Sequence, residues 1–221
     1  MPPRAPCTLT FRGVRTAIEN PHDPENVETH CFSGCIWNQG AHAAQPKAFY
    51  TKVNQSDHGP KDFQQWVATA ESSDMTSWQK HPDNGKIFNA PEGTVSDWRD
   101  PYVFEAGGRT LCVIGGGTED EAQVLIYEAS DSETLAAWEY RGVMCARPRD
   151  CYSSRDPNPV PRFFFECPNM IHVSGSTWVL LISPFAPLEY IIGDFDAGTL
   201  TFTERTSKSR RPSPVPSRSK V

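Results

Sequence analysis

Two carboxylic side chains stand out because of the residues around them. Asp100 lies in the Trp-Arg-Asp-Pro segment 98–101, and Glu166 begins a Glu-Cys-Pro segment. Glycoside hydrolysis requires two carboxyl groups around one bond, one of them a proton donor. The three phenylalanines at 163–165 favour a protonated Glu166, since apolar surroundings disfavour a charged carboxylate. The alternative is an ordinary glutamate on a loop beside an apolar strand, and position alone does not separate the two.

An internal repeat indicates that these two carboxyl groups face a common pocket. Two pairs of segments are similar, at spacings of 57 and 67 residues: 67–74 with 124–131, and 101–114 with 168–181. A loop rich in Pro, Asp, Ser and Arg at 147–162 accounts for the difference in spacing. The alignment places Arg99 opposite Glu166 and Asp100 opposite Cys167, each pair at the start of a repeat unit.

The repeat units are composed of short runs of β-branched and aromatic residues separated by turns, many of which contain glycine. Nine such runs predict strands, at 32–37, 48–53, 65–70, 102–104, 111–114, 124–127, 171–173, 178–183 and 190–195. No segment has a sustained period of 3.6 residues, so helices are expected to be scarce. Three units of about four strands indicate an all-β fold with three blades of a β-propeller, which leaves the ring open. The innermost strands of a propeller line its channel, so both carboxyl groups are expected there.

Composition and charge narrow the function classes. The chain has 221 residues and 38% hydrophobic residues, enough for one substantial core. Its 15 glycines and 20 prolines are typical of a protein with many turns. A net charge of −6 gives nucleic acid no general attraction, and no apolar stretch is long enough to span a membrane. The N-terminal residues do not form a signal peptide as they stand.

The chain divides into three parts on these patterns. We expect an irregular segment over 1–30, a partial propeller over 31–206 and a disordered, basic, Ser/Pro-rich tail over 207–221. Seven cysteines are scattered along the chain without a CxxC pair. Cys31 and Cys35 lack the second, well-separated ligand pair of a zinc site, so buried thiols are expected and no metal or other cofactor.

Three motifs, in this order, resemble signatures of glycoside hydrolase family 32, which comprises invertases, inulinases and levanases. They are Phe32-Ser-Gly-Cys35, Trp98-Arg-Asp-Pro-Tyr-Val-Phe104 and Phe165-Glu-Cys-Pro-Asn-Met170. The resemblance covers roughly residues 31–205 and implies a five-bladed propeller, of which this chain holds about three blades. It also implies a fructoside substrate of the sucrose, inulin or levan type.

The resemblance also implies a role for each matching residue. Glu166 would be the general acid/base, protonating the leaving oxygen and later activating water. Asp100 would bind sugar hydroxyls and stabilise the transition state, and Arg99 would orient the carboxylates. The other residues to which it assigns a place in the sugar site are Phe32, Ser33 and Cys167, the last supporting Glu166.

The sequence departs from the family pattern in ways that bear on activity. The family uses a nucleophilic Asp in an Asn-Asp-Pro-Asn-like motif, which this chain does not contain. Asp23, only nine residues before Phe32, is better explained as a turn residue. A second Arg-Asp-Pro at 155–157 has no strand after it, so Asp100 is favoured over Asp156. We therefore expect a truncated fragment that lacks its nucleophile.

Other functions remain open at this point. A non-catalytic propeller fragment that binds carbohydrate or a partner protein fits the same motifs. A hydrolase of a neighbouring family acting on arabinosides or xylosides fits the fold, although Cys167 directly after Glu166 argues against it. The sequence does not define the oligomeric state or the compartment; members of the resembled family are often secreted or vacuolar.

Overall fold

A computed structural model describes residue 18 and the ranges 30–54, 62–94, 98–149, 164–183 and 188–205. Several sequence predictions lie outside these residues. They are the irregular N-terminal segment apart from Ile18 and His30, the basic tail at 207–221, and the two alternative aspartates, Asp23 and Asp156. Within the described ranges no helix has the length and apolar character needed to cross a membrane.

The described residues form twelve strands and a short 3₁₀ helix. The strands are β1 His30–Trp37, β2 Lys47–Asn54, β3 Asp62–Ala70, β4 Trp78–Lys80, β5 Arg99–Ala106, β6 Arg109–Gly117, β7 Glu121–Ala129, β8 Trp138–Pro148, β9 Glu166–Ser174, β10 Thr177–Ser183, β11 Glu189–Asp196 and β12 Thr201–Glu204. The 3₁₀ helix is Gly40–Ala43. All nine predicted strands and the predicted scarcity of helices are confirmed over this part of the chain.

The strands form three four-stranded antiparallel sheets in which consecutive strands are neighbours. The first sheet contains β1 to β4, the second β5 to β8 and the third β9 to β12. The sequence repeat indicates about four strands in each unit. The structure defines the bounds of the fourth strand of each sheet, which are β4, β8 and β12. Each sheet therefore corresponds to one repeat unit.

Successive sheets pack on each other, and two apolar clusters fill the spaces between them. Because side chains alternate along a strand, Val103 contributes to the cluster shared with the first sheet and Phe104 to the cluster shared with the third. The run 111–114 in β6 is completely buried, which explains why it is apolar at every position. The second sheet is thus covered on both faces.

The first strands of the three sheets lie beside one another. β5 contacts β1 on one side and β9 on the other. Their N-terminal ends come together, as the repeat alignment predicts for the starts of β5 and β9. This arrangement brings side chains from three sheets to one place.

The outer face of the third sheet is apolar and exposed among the described residues. Its exposed side chains include Ile171, Val173, Tyr190 and Ile192. Ile171 pairs with Val179 in the same way that Phe104 pairs with Leu111 in the second sheet. In the second sheet this face is covered by the third sheet. The exposed face of the third sheet therefore corresponds to the face of the second sheet that the third sheet covers.

An arginine connects the second and third sheets. Arg109 donates hydrogen bonds from Nε and Nη2 to the two carboxylate oxygens of Glu128, at 2.6 and 2.5 Å. Its Nη1 donates to the carbonyl oxygen of Ala197, in the turn before β12, at 2.6 Å. The hydrogen bond from Arg109 lowers the pKa of Glu128 below its usual 4.5. Glu128 therefore stabilises the fold in its ionised form.

Replacing Glu128 with glutamine is expected to lower the free energy of unfolding by about 1 kcal/mol at pH 7. Because the folded-state pKa is the lower one, this contribution is complete above the unfolded pKa, near 4.5, and is lost as pH falls through the folded value. Urea unfolding of both proteins at pH 7 and pH 3 measures it. Glu92→Gln, on an exposed carboxylate away from Arg109 and Glu128, is the control; an equal deficit at both pH values would contradict the prediction.

Candidate active site

A cavity of about 350 Å³ lies at the N-terminal ends of β1, β5 and β9. Its lining residues are Cys31, Phe32, Ser33, Arg99, Asp100, Glu166 and Cys167. The structure thus brings together all six residues that the sequence singled out. Cys31 was missed as a member of the site, although its position directly before Phe32 was a signal that could have found it.

The three strands contribute to the cavity through equivalent positions. Phe32 and Arg99 are separated by the same 67 residues as Arg99 and Glu166, and each is followed by a second lining residue. All three places have an irregular strand register: after Phe32 in β1, after Arg99 in β5 and after Glu166 in β9. Bulges of this kind redirect side chains out of the regular pleat. Here they occur at the residues that line the cavity.

Two of the lining residues have left-handed backbone conformations. The φ angles are +65° at Asp100 and +48° at Cys167. Residues with a Cβ adopt this region at a cost of about 1–3 kcal/mol, and such a conformation persists only where the surroundings fix it. The same conformation therefore recurs at equivalent lining positions of two neighbouring sheets.

A buried arginine lies between the two carboxylates. The Arg99 side chain is 8% exposed; its Nη2 forms an ion pair with Glu166, and its Nε lies 3.8 Å from Asp100 Oδ2. The guanidinium stands over the rings of Phe32 and Phe63, 5.9 and 5.8 Å from their centroids. Carboxylates that share a cavity repel each other when both are ionised, and this cation offsets that repulsion.

A second set of contacts joins the three sheets directly. Asp100 Oδ2 accepts a hydrogen bond of 3.0 Å from the backbone N–H of Cys167, and the Cys167 thiol lies 3.7 Å from the same oxygen. The side chain of Ser33 also hydrogen-bonds Cys167. Burial, followed by the charge of Asp100, raises the pKa of Cys167 above its usual 9.0. Cys167 is therefore a protonated thiol at neutral pH.

A glycine permits the close approach of the second and third sheets at the cavity. Gly115 in β6 pairs with Arg99 in β5. A Cβ at this position would lie 2.0 Å from the carbonyl oxygen of Phe165, the residue before Glu166. Only glycine fits such a contact with backbone on both sides. Gly115 thus helps to set the distance between Arg99 and Glu166.

Cys35, the last residue of the first motif, is placed away from the cavity lining. Its thiol accepts a hydrogen bond of 3.2 Å from the backbone N–H of Val103. Burial raises the pKa of Cys35 to about 12, so it remains a thiol. Among the described residues no group of three or more His, Cys, Asp or Glu side chains is arranged to hold a metal ion.

Paired carboxyl groups in a cavity at the ends of successive four-stranded sheets are features of β-propeller glycoside hydrolases. Residues 9–212 match the family described as the glycosyl hydrolases family 32 N-terminal domain. The match covers most of the sequence, and the chain belongs to this family. The resemblance inferred from the three motifs is confirmed.

Among curated relatives, sucrose-6-phosphate hydrolase of Bacillus subtilis (strain 168) is 30% identical over 136 residues, which cover 62% of this chain and 26% of that protein. Among solved structures, a family 32 β-fructofuranosidase of Bombyx mori in complex with sucrose is 23% identical, with a TM-score of 0.63. Sucrose-6-phosphate hydrolase of Lactobacillus gasseri is 20% identical, with a TM-score of 0.62.

The structural alignments cover 81% of this chain and 37% of the silkworm enzyme, and 82% and 36% for the Lactobacillus enzyme. At these identities the comparison establishes the fold. The chain therefore shares the β-propeller fold of these relatives and spans about a third of the length of the solved proteins, and a smaller part of the curated one.

Proposed function

We propose that the cavity binds the fructosyl unit of a β-fructofuranoside and belongs to a glycoside hydrolase that cleaves sucrose-, inulin- or levan-type substrates. The observation that supports this most directly is the pairing of Asp100 and Glu166, from neighbouring sheets, around one arginine in one cavity. The names of the relatives, sucrose-6-phosphate hydrolase and β-fructofuranosidase, agree with this substrate class.

In this proposal Glu166 is the general acid/base. Its side chain is 20% exposed, so it reaches the cavity, and it follows the buried ring of Phe165. It protonates the oxygen that leaves the fructosyl carbon and then removes a proton from water. The ion pair with Arg99 fixes the position of its carboxyl group.

Asp100 contributes the second carboxyl group. It is 5% exposed, and Arg99 and the Cys167 amide hold it in place. A fixed carboxylate can accept hydrogen bonds from sugar hydroxyls and offset the positive charge that develops on the sugar ring. The remaining proposed contacts with the sugar come from Arg99, Phe32, Ser33 and Cys167.

The proposal extends to the architecture. The three sheets are taken as blades from the middle of a five-bladed propeller, and the exposed apolar face of the third sheet is consistent with a further blade.

A retaining mechanism also needs a nucleophilic carboxylate. The 221 residues contain no Asn-Asp-Pro-Asn segment. We therefore expect this chain to bind fructosides and to hydrolyse them extremely slowly.

Binding of sucrose and fructose to the 221-residue chain tests the proposal, with titration calorimetry or NMR line broadening as the measurement. Both sugars are expected to bind, and maltose, a disaccharide without fructose, is not. Asp100→Asn is expected to weaken sucrose binding about 10-fold or more, because hydrogen bonds to a charged acceptor are lost.

Asp196→Asn, at the exposed C-terminal end of β11 and outside the cavity lining, is the matched control and is expected to retain full affinity. Equal binding of sucrose and maltose would contradict the proposal, as would a failure of the native chain to bind any fructoside. Rapid release of fructose by the chain would contradict the statement that it lacks a nucleophile.

A further inference from the structure

We propose that Thr51 and Gln65, which lie behind the cavity in the first sheet, are positioning residues for Asp100. Neither side chain lines the cavity. Both are buried, with 0% and 1% exposure, and they are direct cross-strand partners in β2 and β3. The expected effect on sugar binding rests on the proposed function. The positioning of Asp100 itself is inferred from the hydrogen bonds alone.

The two side chains hold the start of β5 at two points. Thr51 Oγ1 accepts a hydrogen bond of 2.8 Å from the backbone N–H of Asp100 and donates one of 2.8 Å to Gln65 Oε1. Gln65 Nε2 donates a hydrogen bond of 2.9 Å to the backbone carbonyl oxygen of Trp98. The hydrogen bonds form a closed ring around the backbone from Trp98 to Asp100.

The chemistry of the two ends fixes the direction of every bond in this ring. A backbone N–H can only donate and a backbone carbonyl can only accept. The Thr51 hydroxyl must therefore direct its proton to Gln65, and the Gln65 amide must direct its nitrogen to Trp98. A buried network with one possible arrangement is rigid, and leaving one of its groups without a partner costs about 1–3 kcal/mol.

The ring of hydrogen bonds includes the backbone N–H of Asp100, the residue whose backbone is strained. Asp100 has a φ of +65°, a conformation that persists only where the surroundings determine it. Its N–H is bound by the first sheet, whereas its carboxylate binds the Cys167 amide of the third sheet. Loss of the Thr51 hydroxyl releases one of these two anchors. The carboxylate of Asp100 then moves relative to Arg99 and Cys167.

Cys167 offers a readout that is independent of sugar binding. Burial and the charge of Asp100 raise the pKa of its thiol, Glu166 adds to the effect, and the hydrogen bond from Ser33 opposes it. If Asp100 moves away, the thiol ionises at a lower pH and reacts faster with iodoacetamide. The Cys145 thiol in β8 serves as an internal reference in the same protein, because its pKa depends on burial, Arg147 and Glu204 and not on Asp100.

The test compares Thr51→Val, which has nearly the same shape without the hydroxyl, with Thr51→Ser, which keeps it. Thr51→Val is expected to weaken sucrose binding about 10-fold and to shift the pH profile of Cys167 alkylation, followed by peptide mass spectrometry, to lower pH. Thr51→Ser is expected to match the native chain in both measurements. The Cys145 profile is expected to stay unchanged in all three proteins.

A Thr51→Val chain that is less stable but keeps the native sucrose affinity and Cys167 profile would show a merely structural role and overturn the inference. If the native chain binds no fructoside, the proposed function fails, and the Cys167 profile still decides whether Thr51 positions Asp100. The two failures are therefore distinguishable.

Discussion

Replacing Arg99 with methionine is expected to lower the free energy of unfolding by about 3–5 kcal/mol and to abolish detectable sucrose binding. Methionine preserves much of the apolar contact with Phe32 and Phe63, so the loss is mainly electrostatic. Asp100 and Glu166 would then remain in one cavity without the cation that lies between them. Urea unfolding monitored by tryptophan fluorescence measures the first effect, and calorimetric titration with sucrose measures the second.

Two further variants provide reference values for the loss of stability expected in Arg99→Met. Arg147→Met removes an ion pair with Glu204 whose side chains are 35% and 52% exposed, and its expected cost is below about 1 kcal/mol. Arg99→Lys keeps the positive charge but has no planar fork to reach both carboxylates, so an intermediate loss is expected. If Arg99→Met costs no more than Arg147→Met, Arg99 does not act as the bridge between the carboxylates.

Much of the fold could be predicted from the sequence because apolar runs and turn residues follow the strands closely. The run 111–114, for example, is apolar throughout because the second sheet is covered on both faces. The bounds of β8 and β12 were harder to predict. Many side chains of β8 are exposed, and β12 has only four residues, three of them exposed, so neither has a clear apolar pattern.

The members of the candidate site could be predicted in large part because they follow one another at a constant spacing. The internal repeat by itself aligns Arg99 with Glu166, and the same spacing counted back from Arg99 leads to Phe32. Thr51 and Gln65 have no such signal. Polar residues in a strand are usually interpreted as solvent-facing, and only the structure shows that both are buried.

The contact between Asp100 and Cys167 could not be predicted for a different reason. It depends on left-handed backbone conformations at two residues that are not glycine, so the sequence contains no marker for them. The alignment of the repeat units establishes that they occupy equivalent positions in adjacent sheets. The hydrogen bond of 3.0 Å between them follows from the bulges at the start of β5 and β9.

If the chain has the acid/base group but no nucleophile, a small external anion should restore cleavage of sucrose. Azide can take the place of a missing carboxylate by attacking the anomeric carbon of the fructosyl unit. A C–N bond to azide forms there as the glycosidic C–O bond breaks, and the proton of Glu166 passes to the departing glucose oxygen. The products are fructosyl azide and glucose. Little glucose is expected from the chain in buffer alone, since water is a weaker nucleophile than azide.

The rate of glucose release by the native chain is therefore expected to rise with azide concentration. At the same azide concentration, the rate of Glu166→Gln is expected to be about 10²–10⁴-fold lower, the range typical of a lost general acid. Glu189→Gln, at the start of β11 and outside the cavity lining, is the matched control and is expected to keep the native rate. Chromatography with mass detection identifies fructosyl azide. Fast release of fructose without azide would show that the chain holds its own nucleophile. Sucrose binding with no azide-dependent product would identify a carbohydrate-binding fragment, because binding alone needs neither proton transfer nor attack at the anomeric carbon.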